Sequence, residues 1–150
     1  MAQSLVKNYV HIVFGTKYRE PFIQPSIEAE LHAYIGGICK NSGCPVIIVG
    51  GYVEHIHILC MLSRKIALME LVAEIKGASS RWIKSKGVAF ENFYWQDGYA
   101  TFSVNPAQVG VVEHYIANQH AHHSKIAYPD ELRSLFRKYK VDYDEKYVWD

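Results

Sequence analysis

Two histidines separated by one residue, His55 and His57, are the clearest candidates for chemistry in the sequence. The run from His55 to Leu62 is rich in the β-branched and aliphatic residues that are typical of a strand. Residues i and i+2 of a strand face the same side, so both imidazoles can reach one metal ion. Ile56, between them, then faces the opposite side of the sheet. The spacing therefore predicts part of a metal-binding site.

A second group of polar residues lies in a predicted helix near the C-terminus. Tyr115 and Gln119 are four residues apart there, so they share one helix face. The same segment contains another pair of histidines spaced by one residue, His120 and His122. On a helix such residues are about 200° apart, so they are not expected to bind a single ion. His122 instead shares the face of Tyr115.

The remaining chain predicts the elements that must position these side chains. The predicted strands and helices, in order, are a strand in 7–17, a helix over 27–40 capped by Ser26, strands over 46–53 and 55–62, a helix over 67–86 and a strand within 94–104. Asn105 and Pro106 then signal a helix that continues to about Ser124, and a last helix spans Pro129 to Lys140. This βαββαβ order is typical of an α+β, ferredoxin-like (RRM-like) fold: a four-stranded antiparallel sheet with helices on one face. The C-terminal helices, one of which carries the tyrosine, are additional. The other sheet face is expected to meet solvent, a ligand, nucleic acid or a partner chain.

Composition limits the class of protein. A chain of 150 residues, 49% hydrophobic and 21% charged, is expected to form one folded domain over 1–150 with an acidic tail from 141. No apolar run approaches the length of a membrane span, and the first residues do not resemble a signal peptide. The three cysteines form no C-x-x-C pair, which favours reduced thiols. These features predict a cytoplasmic protein.

The charge is unevenly distributed. A formal net charge of +1 argues, by itself, against a general nucleic-acid binder. However, residues 64–86 hold six basic and two acidic residues, and the last ten hold four acidic residues and one lysine. Lysines, arginines and serines at helical spacing, or beside an aromatic ring, are suited to phosphate contacts. The candidate DNA-binding residues are Lys17, Arg19, Lys76, Ser80, Arg81 and Lys84.

Several segments together resemble one known family. They are HIVFGTKYR near the N-terminus, EHIHIL around the histidine pair, EIKGASSRWI, YWQDGYATFSV and HYIANQHAHH around Tyr115. Their order and spacing, over nearly the whole chain, resemble the single-tyrosine HUH transposases of small insertion sequences (the TnpA, IS200-like type). The chain has Glu54 before the first histidine, where the family pattern has aspartate.

The resemblance implies a role for each candidate residue. Tyr115 matches the nucleophile that attacks a DNA phosphodiester and forms a 5′-phosphotyrosine. His55, His57 and Gln119 match the ligands of the catalytic divalent ion, Mg²⁺ or Mn²⁺. Imidazole ligands suit Mn²⁺ better than Mg²⁺, so ligand type does not decide between them. No nucleotide cofactor is expected, since the chain lacks a P-loop.

The resemblance also implies partners. The substrate would be single-stranded DNA with hairpins near the ends of an insertion sequence, and the protein would be a homodimer. Whether the helix with Tyr115 completes the site of its own chain or of the partner is left open, as is whether this copy mobilises an element or is retained by a host.

Two other functions compete with strand transfer. Ferredoxin-like sheets often bind single strands through exposed aromatic residues, so a non-catalytic nucleic-acid-binding module is the main alternative. A metal-dependent hydrolase of small phosphodiesters is the other, and it would use water as the nucleophile. Neither requires a tyrosine beside the histidine pair.

Overall fold

The computed structural model of the protein describes residues 2–150. Its four strands are β1 (Tyr9–Gly15), β2 (Val46–Tyr52), β3 (His55–Met61) and β4 (Ala100–Val104). They form one antiparallel sheet in the order β2-β3-β1-β4, with β1 and β3 at the centre. This topology confirms the predicted ferredoxin-like fold.

Alternation along the central strands separates two sheet faces. Ile12 and Phe14 of β1, with Ile56 and Ile58 of β3, face one side and are fully buried. Two helices, α1 (Pro25–Asn41) and α2 (Leu68–Lys84), cover this face and bury their apolar stripes on it. The main core therefore lies between these helices and the sheet, as the pattern of residues predicted.

The second sheet face is covered by the chain's own C-terminal helices, α3 (Val109–Ala117), α4 (Gln119–His123) and α5 (Tyr128–Tyr139). Ile116 of α3 packs on Leu59, while Leu132 and Phe136 of α5 pack with Phe102. The sequence alone predicts that this face meets solvent, a ligand, nucleic acid or a partner chain. In the structure the chain's own helices cover it. Side chains of β1 and β3 that point this way are consequently enclosed.

The single helix predicted from Asn105 to Ser124 is wrong, because the segment is broken at Asn118. The backbone there has φ −99° and ψ 19°, and the Asn118 side chain donates to the His114 carbonyl at 2.8 Å. That side chain competes with the helical backbone for its acceptor, a common reason for asparagine to interrupt a helix. Asn105 caps the start of this segment, as predicted, because its Oδ1 accepts a hydrogen bond from the Ala107 amide at 2.9 Å. The first turn is a 3₁₀ turn and not part of an α-helix.

Other helix and strand boundaries in the structure differ from the predicted ones by a few residues. Helix α1 begins at Pro25 after Gln24, which makes no side-chain cap, so Ser26 does not cap it. The first strand ends at Gly15 rather than at residue 17. Thr16 still forms an isolated bridge with Trp95, and the chain then turns through Tyr18 and Arg19, which have positive φ angles of 58° and 57°. None of the helices in residues 2–150 is long and apolar enough to span a membrane.

The acidic tail returns to the body of the protein. The amide of Gly98 donates to the Asp150 carbonyl at 2.9 Å, and Gln96 Nε2 lies 3.3 Å from the carbonyls of Val148 and Asp150. Gln96 Oε1 also accepts from the Gly15 amide at 2.6 Å. The end of the chain is thus tied to the end of β1.

Gly50 sets how closely α3 approaches the sheet. A Cβ built there would lie 2.7 Å from both the side chain and the carbonyl oxygen of Ile116. We therefore expect Gly50→Ala to push α3 outward and to lower the free energy of unfolding by about 1–3 kcal/mol, the usual cost of overpacking. Urea denaturation measures this change.

Gly37→Ala is the matched control, since no atom lies within 4 Å of its Cβ position and the residue is exposed in α1. Alanine should stabilise that helix by about 0.5–1 kcal/mol. Equal stability of the Gly50→Ala and wild-type proteins would show that α3 does not depend on this close approach.

Candidate active site

His55 and His57 lie side by side on β3, with ring centroids 5.1 Å apart and neither ring exposed to solvent. Both face the second side of the sheet, as their i, i+2 spacing requires. Tyr128 of α5 stacks on the His55 ring at a centroid distance of 4.0 Å. The strand therefore fixes the direction of the two imidazoles and α5 covers them.

A carboxylate that sequence reasoning missed, Glu131 of α5, lies at the centre of the site. It is only 3% exposed. Its Oε1 is 3.2 Å from His57 Nε2, 3.4 Å from His55 Nε2 and 3.2 Å from His123 Nε2. Burial opposes the charge, but the hydrogen bonds from His123, His55 and His57 outweigh it and hold the pKa of Glu131 far below its usual value. The carboxylate is therefore ionised.

The other oxygen of Glu131 faces the residues predicted on the C-terminal helices. The Tyr115 hydroxyl donates to Oε2, and Gln119 Nε2 donates to the same atom at 2.9 Å. Gln119 Oε1 in turn lies 2.9 Å from His55 Nε2. The structure thus brings together all four predicted residues of the tyrosine and metal site, around a carboxylate that the prediction lacked.

A second layer orients the two strand histidines. His55 Nδ1 lies 2.7 Å from Glu54 Oε1, so the carboxylate that replaces the expected aspartate does contact the ring. His57 Nδ1 lies 2.7 Å from Nε2 of His11, a buried residue of β1. Such partners fix which ring nitrogen points at a metal site. Here Nε2 of both histidines points at Glu131.

The two histidines differ electrostatically. Burial acts to lower the pKa of His55, but hydrogen bonds to Glu131 and Glu54 outweigh it and raise that pKa above 6.5. Burial lowers the pKa of His57 to about 4, and Glu131 offsets this only partly. Both nitrogens of His55 face oxygen atoms, those of Glu54 and Gln119. The lowered pKa of His57 favours its neutral form, in which Nε2 carries the proton of the hydrogen bond to Glu131 and could act as a ligand only after that proton moves.

Tyr115 is poorly acidic in this environment. Burial, followed by the nearby charge of Glu131, raises the pKa of its phenol above the usual 10. Its ring is half-buried and lies 5.7 Å from His122, the residue predicted to share its face. The tyrosine therefore holds its proton.

The family described as transposase IS200 like matches residues 4–119 of the chain. The chain belongs to this family. One relative is the ISDra2 transposase TnpA of Deinococcus radiodurans, 24% identical over 115 residues, which are 73% of this chain and 82% of the relative.

Two solved structures share the fold of this transposase. A candidate transposase from Deinococcus radiodurans superposes with a TM-score of 0.61 at 21% identity, over 79% of this chain and 96% of the other. A REP-associated tyrosine transposase bound to a REP hairpin superposes with a TM-score of 0.61 at 15% identity, over 84% of this chain and 74% of the other.

The family match ends at Gln119, so part of the site lies beyond it. His122, His123 and Glu131 follow that residue, and their side chains form a second group close enough to hold a metal ion. His120 points away and contacts Glu28 at 2.7 Å, in line with the expectation that it would not share an ion with His122. The C-terminal segment of this transposase thus adds to the matched site.

Two of the candidate DNA-binding lysines are engaged with the loop that precedes β4. Lys76 Nζ donates to the carbonyls of Gln96, Asp97 and Gly98 at 2.7, 3.0 and 2.7 Å. Lys17 Nζ lies 3.5 Å from the Asp97 carboxylate. Both ammonium groups therefore contribute to holding this loop.

The other four candidates are more open. Arg81 is exposed, Ser80 is half-buried on the rim of a cleft beside Lys76, and Lys84 lies 4.1 Å from the ring centroid of the exposed Tyr94. Arg19 lies 5.2 Å from the Trp149 ring. Because α2 covers the first sheet face, its basic residues are on the opposite side of the sheet from the histidines.

Sequence reasoning missed three residues of the site, namely His11, His123 and Glu131. The signal for Glu131 was a charged residue on the apolar stripe of α5, between Tyr128 and Leu132. A carboxylate at such a position is rarely buried without partners. The signal for His11 was weaker, since a lone histidine in a strand is compatible with many environments.

The buried histidines make stability depend on pH. The pKa values of His11 and His57 are lowered to about 3 and about 4, below the 6.5 of free histidine. The unfolded chain therefore binds more protons than the folded one below pH 6.5, so stability falls as the pH falls. His55, with a raised pKa, keeps its stabilising contribution in this range.

We expect the free energy of unfolding to fall between pH 6.5 and 5 by up to about 1.4 kcal/mol per pH unit for each of these two histidines. Urea titrations of the metal-free protein measure the slope. In His11→Gln, which binds no proton at that position, the slope should be smaller by the contribution of one histidine, up to about 1.4 kcal/mol per pH unit. A stability that is constant over this range would contradict the assignment.

Proposed function

We propose that this transposase cleaves and rejoins single-stranded DNA with Tyr115 as the nucleophile. The observation that carries the proposal is the convergence of the Tyr115 hydroxyl, His55, His57 and Gln119 on one buried carboxylate. A hydroxyl held beside paired imidazoles is suited to attack on a phosphodiester. The ends joined would be those of an insertion sequence or a related repeat.

The reaction is a transesterification. Tyr115 Oη forms a bond to phosphorus, the bond from phosphorus to the 3′ oxygen breaks, and a 5′-phosphotyrosine results. The leaving 3′ oxygen gains a proton, which balances the proton lost by the phenol. The reverse step joins a DNA 3′-hydroxyl to the same phosphorus and frees the tyrosine. The number of phosphodiester bonds is conserved, so no nucleotide is consumed.

The donor set fits a divalent ion. Nitrogens of His55 and His57 and an oxygen of Glu131 all lie within 4.8 Å of one another, and Gln119 Oε1 is beside His55. We propose that these groups hold Mg²⁺ or Mn²⁺, with Mn²⁺ the better match for two imidazoles. When bound, the ion would stabilise negative charge on the phosphate and on the leaving oxygen.

Glu131 has two tasks in this proposal. Its Oε1 faces the imidazole nitrogens, whereas its Oε2 accepts the hydrogen bonds of Tyr115 and Gln119. The carboxylate therefore orients the phenol while it supplies an oxygen ligand. Gln119 retains the ligand role that the family resemblance implies, and its amide also fixes Glu131.

The partners proposed are DNA hairpins and a second copy of the chain. The REP-associated relative bound to a hairpin supports the first. The Tyr115 ring lies 5.8 Å from that of His57 in the same chain. The proposed homodimer would bring two DNA ends together. We propose that residues 1–150 form a single domain. We also propose that the reaction takes place in the cytoplasm, where the DNA is.

The alternative of a non-catalytic module that binds strands on an open sheet face has less support. Helices α3, α4 and α5 cover that face, and its buried residues include Val13, Leu59 and Phe102. Bases could stack there only if these helices left the sheet.

A covalent adduct tests the nucleophile directly. With Mn²⁺ and labelled single-stranded DNA from the sequences flanking its own coding region, the wild-type protein should form an adduct that survives denaturing electrophoresis. Tyr115→Phe should form none, because the phenol oxygen is the attacking atom. Tyr147→Phe, at an exposed tyrosine of the tail, is the control and should react normally. An adduct in Tyr115→Phe would refute the assignment.

The role of Glu131 at the metal site is tested by calorimetric titration with Mn²⁺. Glu131→Gln keeps the shape of the side chain but removes its charge, so we expect affinity to fall by at least about tenfold, a loss that even an outer partner of a metal site can cause. Glu145→Gln changes an exposed carboxylate that pairs with Arg133 and should leave affinity unchanged. Equal affinities of all three proteins would exclude Glu131 as a ligand.

A further inference from the structure

A cleft of about 570 Å³ opens between the end of α3, the turn after α4 and the outer side of α5. At its inner end lie the half-buried Tyr115 and His122 and the buried Glu131. Its rim carries the exposed side chains of Lys125, Arg137 and Lys138. The cleft therefore joins a basic rim to the tyrosine hydroxyl.

The rim cations are not neutralised by the protein. Among residues 2–150, no carboxylate lies within ion-pair distance of Lys125, Arg137 or Lys138. Arg133, on the same helix, contrasts with them, since it contacts Asp130 at 3.1 Å and Glu145 at 2.5 Å. The Asp130 carboxylate also lines the cleft, but it faces this arginine.

Lys138 is the rim cation that lies nearest the tyrosine along the lining of the cleft. It lines this cleft and also a smaller cavity beside His11, and Tyr115 lines both. His122 Nε2 is buried behind the cleft, 3.3 Å from Glu131 Oε2. An anion that entered the cleft would therefore meet the exposed Lys138 on its way to Tyr115.

The arrangement follows from the periodicity of α5. Leu132 and Phe136 pack on the sheet, and Glu131 lies at the edge of this buried side, next to the histidines. Ser134 and Lys138 are four residues apart on the exposed side, with Arg137 adjacent. One helix thus directs its carboxylate towards the histidines and its cations towards solvent.

We propose that this cleft holds the strand that is cleaved, with Lys125, Arg137 and Lys138 on its phosphates, so that the scissile phosphate reaches Tyr115. The inference rests on the proposed function and gives it a path for the substrate. In this proposal the DNA strand binds along α5. That helix lies outside residues 4–119, which are the part of the chain that the family match covers. The ligand is the backbone of an unpaired strand, independent of base sequence.

The salt dependence of binding tests the cleft. Each phosphate contact contributes about 0.7 to the slope of log affinity against log salt for a single strand. The probe is fluorescein-labelled oligothymidylate, which forms no hairpin, bound to the Tyr115→Phe protein so that no cleavage occurs. Replacement of Arg137 and Lys138 by glutamine should reduce the slope by about 1.4, as for two lost contacts.

The matched control replaces Arg64 and Lys65 by glutamine. This pair is also one arginine and one lysine, adjacent and exposed, but it lies before α2 and away from the cleft. Its slope should stay at the parental value, although the net charge changes equally. No change in the Arg137 and Lys138 variant, or an equal change in both, would overturn the proposal.

Adduct formation separates failure of the cleft from failure of the proposed function. If the wild-type protein forms a Tyr115 adduct but the Arg137 and Lys138 variant keeps both its rate and its slope, the cleft is refuted and strand transfer stands. If no adduct forms but the slope falls only in that variant, the cleft binds single strands and the transferase function is refuted.

Discussion

The buried charge of Glu131 is the constraint on which the arrangement of this transposase depends. An ionised carboxylate that is only 3% exposed is costly unless donors surround it. Here donors come from β3, from α3 and α4, and from the histidines at the end of α4. Each of these elements must be in place for the carboxylate to be compensated, so α5, α3 and the sheet are expected to fold as one unit.

The break at Asn118 divides the contacts to this carboxylate between two helices. Tyr115 donates to Glu131 from α3. Gln119, His122 and His123 belong to α4, which begins after Asn118, and their nitrogens lie 2.9, 3.3 and 3.2 Å from oxygens of Glu131. Both parts of the segment that the sequence predicts as one helix therefore contact the carboxylate.

The sequence was sufficient for the fold, because the fold depends on local periodicity. Strand alternation places His55 and His57 on one face, whereas the roles expected for Tyr115 and Gln119 came from the family resemblance, and the two residues lie in different helices, α3 and α4. Glu131 and His11 did not follow, since their roles arise from contacts between elements distant in the chain. The same holds for Lys76, whose charge favoured a DNA contact but whose ammonium binds three loop carbonyls.

The environment of Tyr115 connects this network with reactivity. Burial, together with the carboxylate that orients the phenol, raises the pKa of Tyr115, so the phenol holds its proton. In the proposed mechanism, a cation bound among the imidazole nitrogens would offset the charge of Glu131 and so lower the pKa of Tyr115. Binding of the proposed ion and activation of the proposed nucleophile would then be coupled through one side chain. Because that side chain belongs to α5, the helix that forms one wall of the cleft would also control the reactivity of Tyr115.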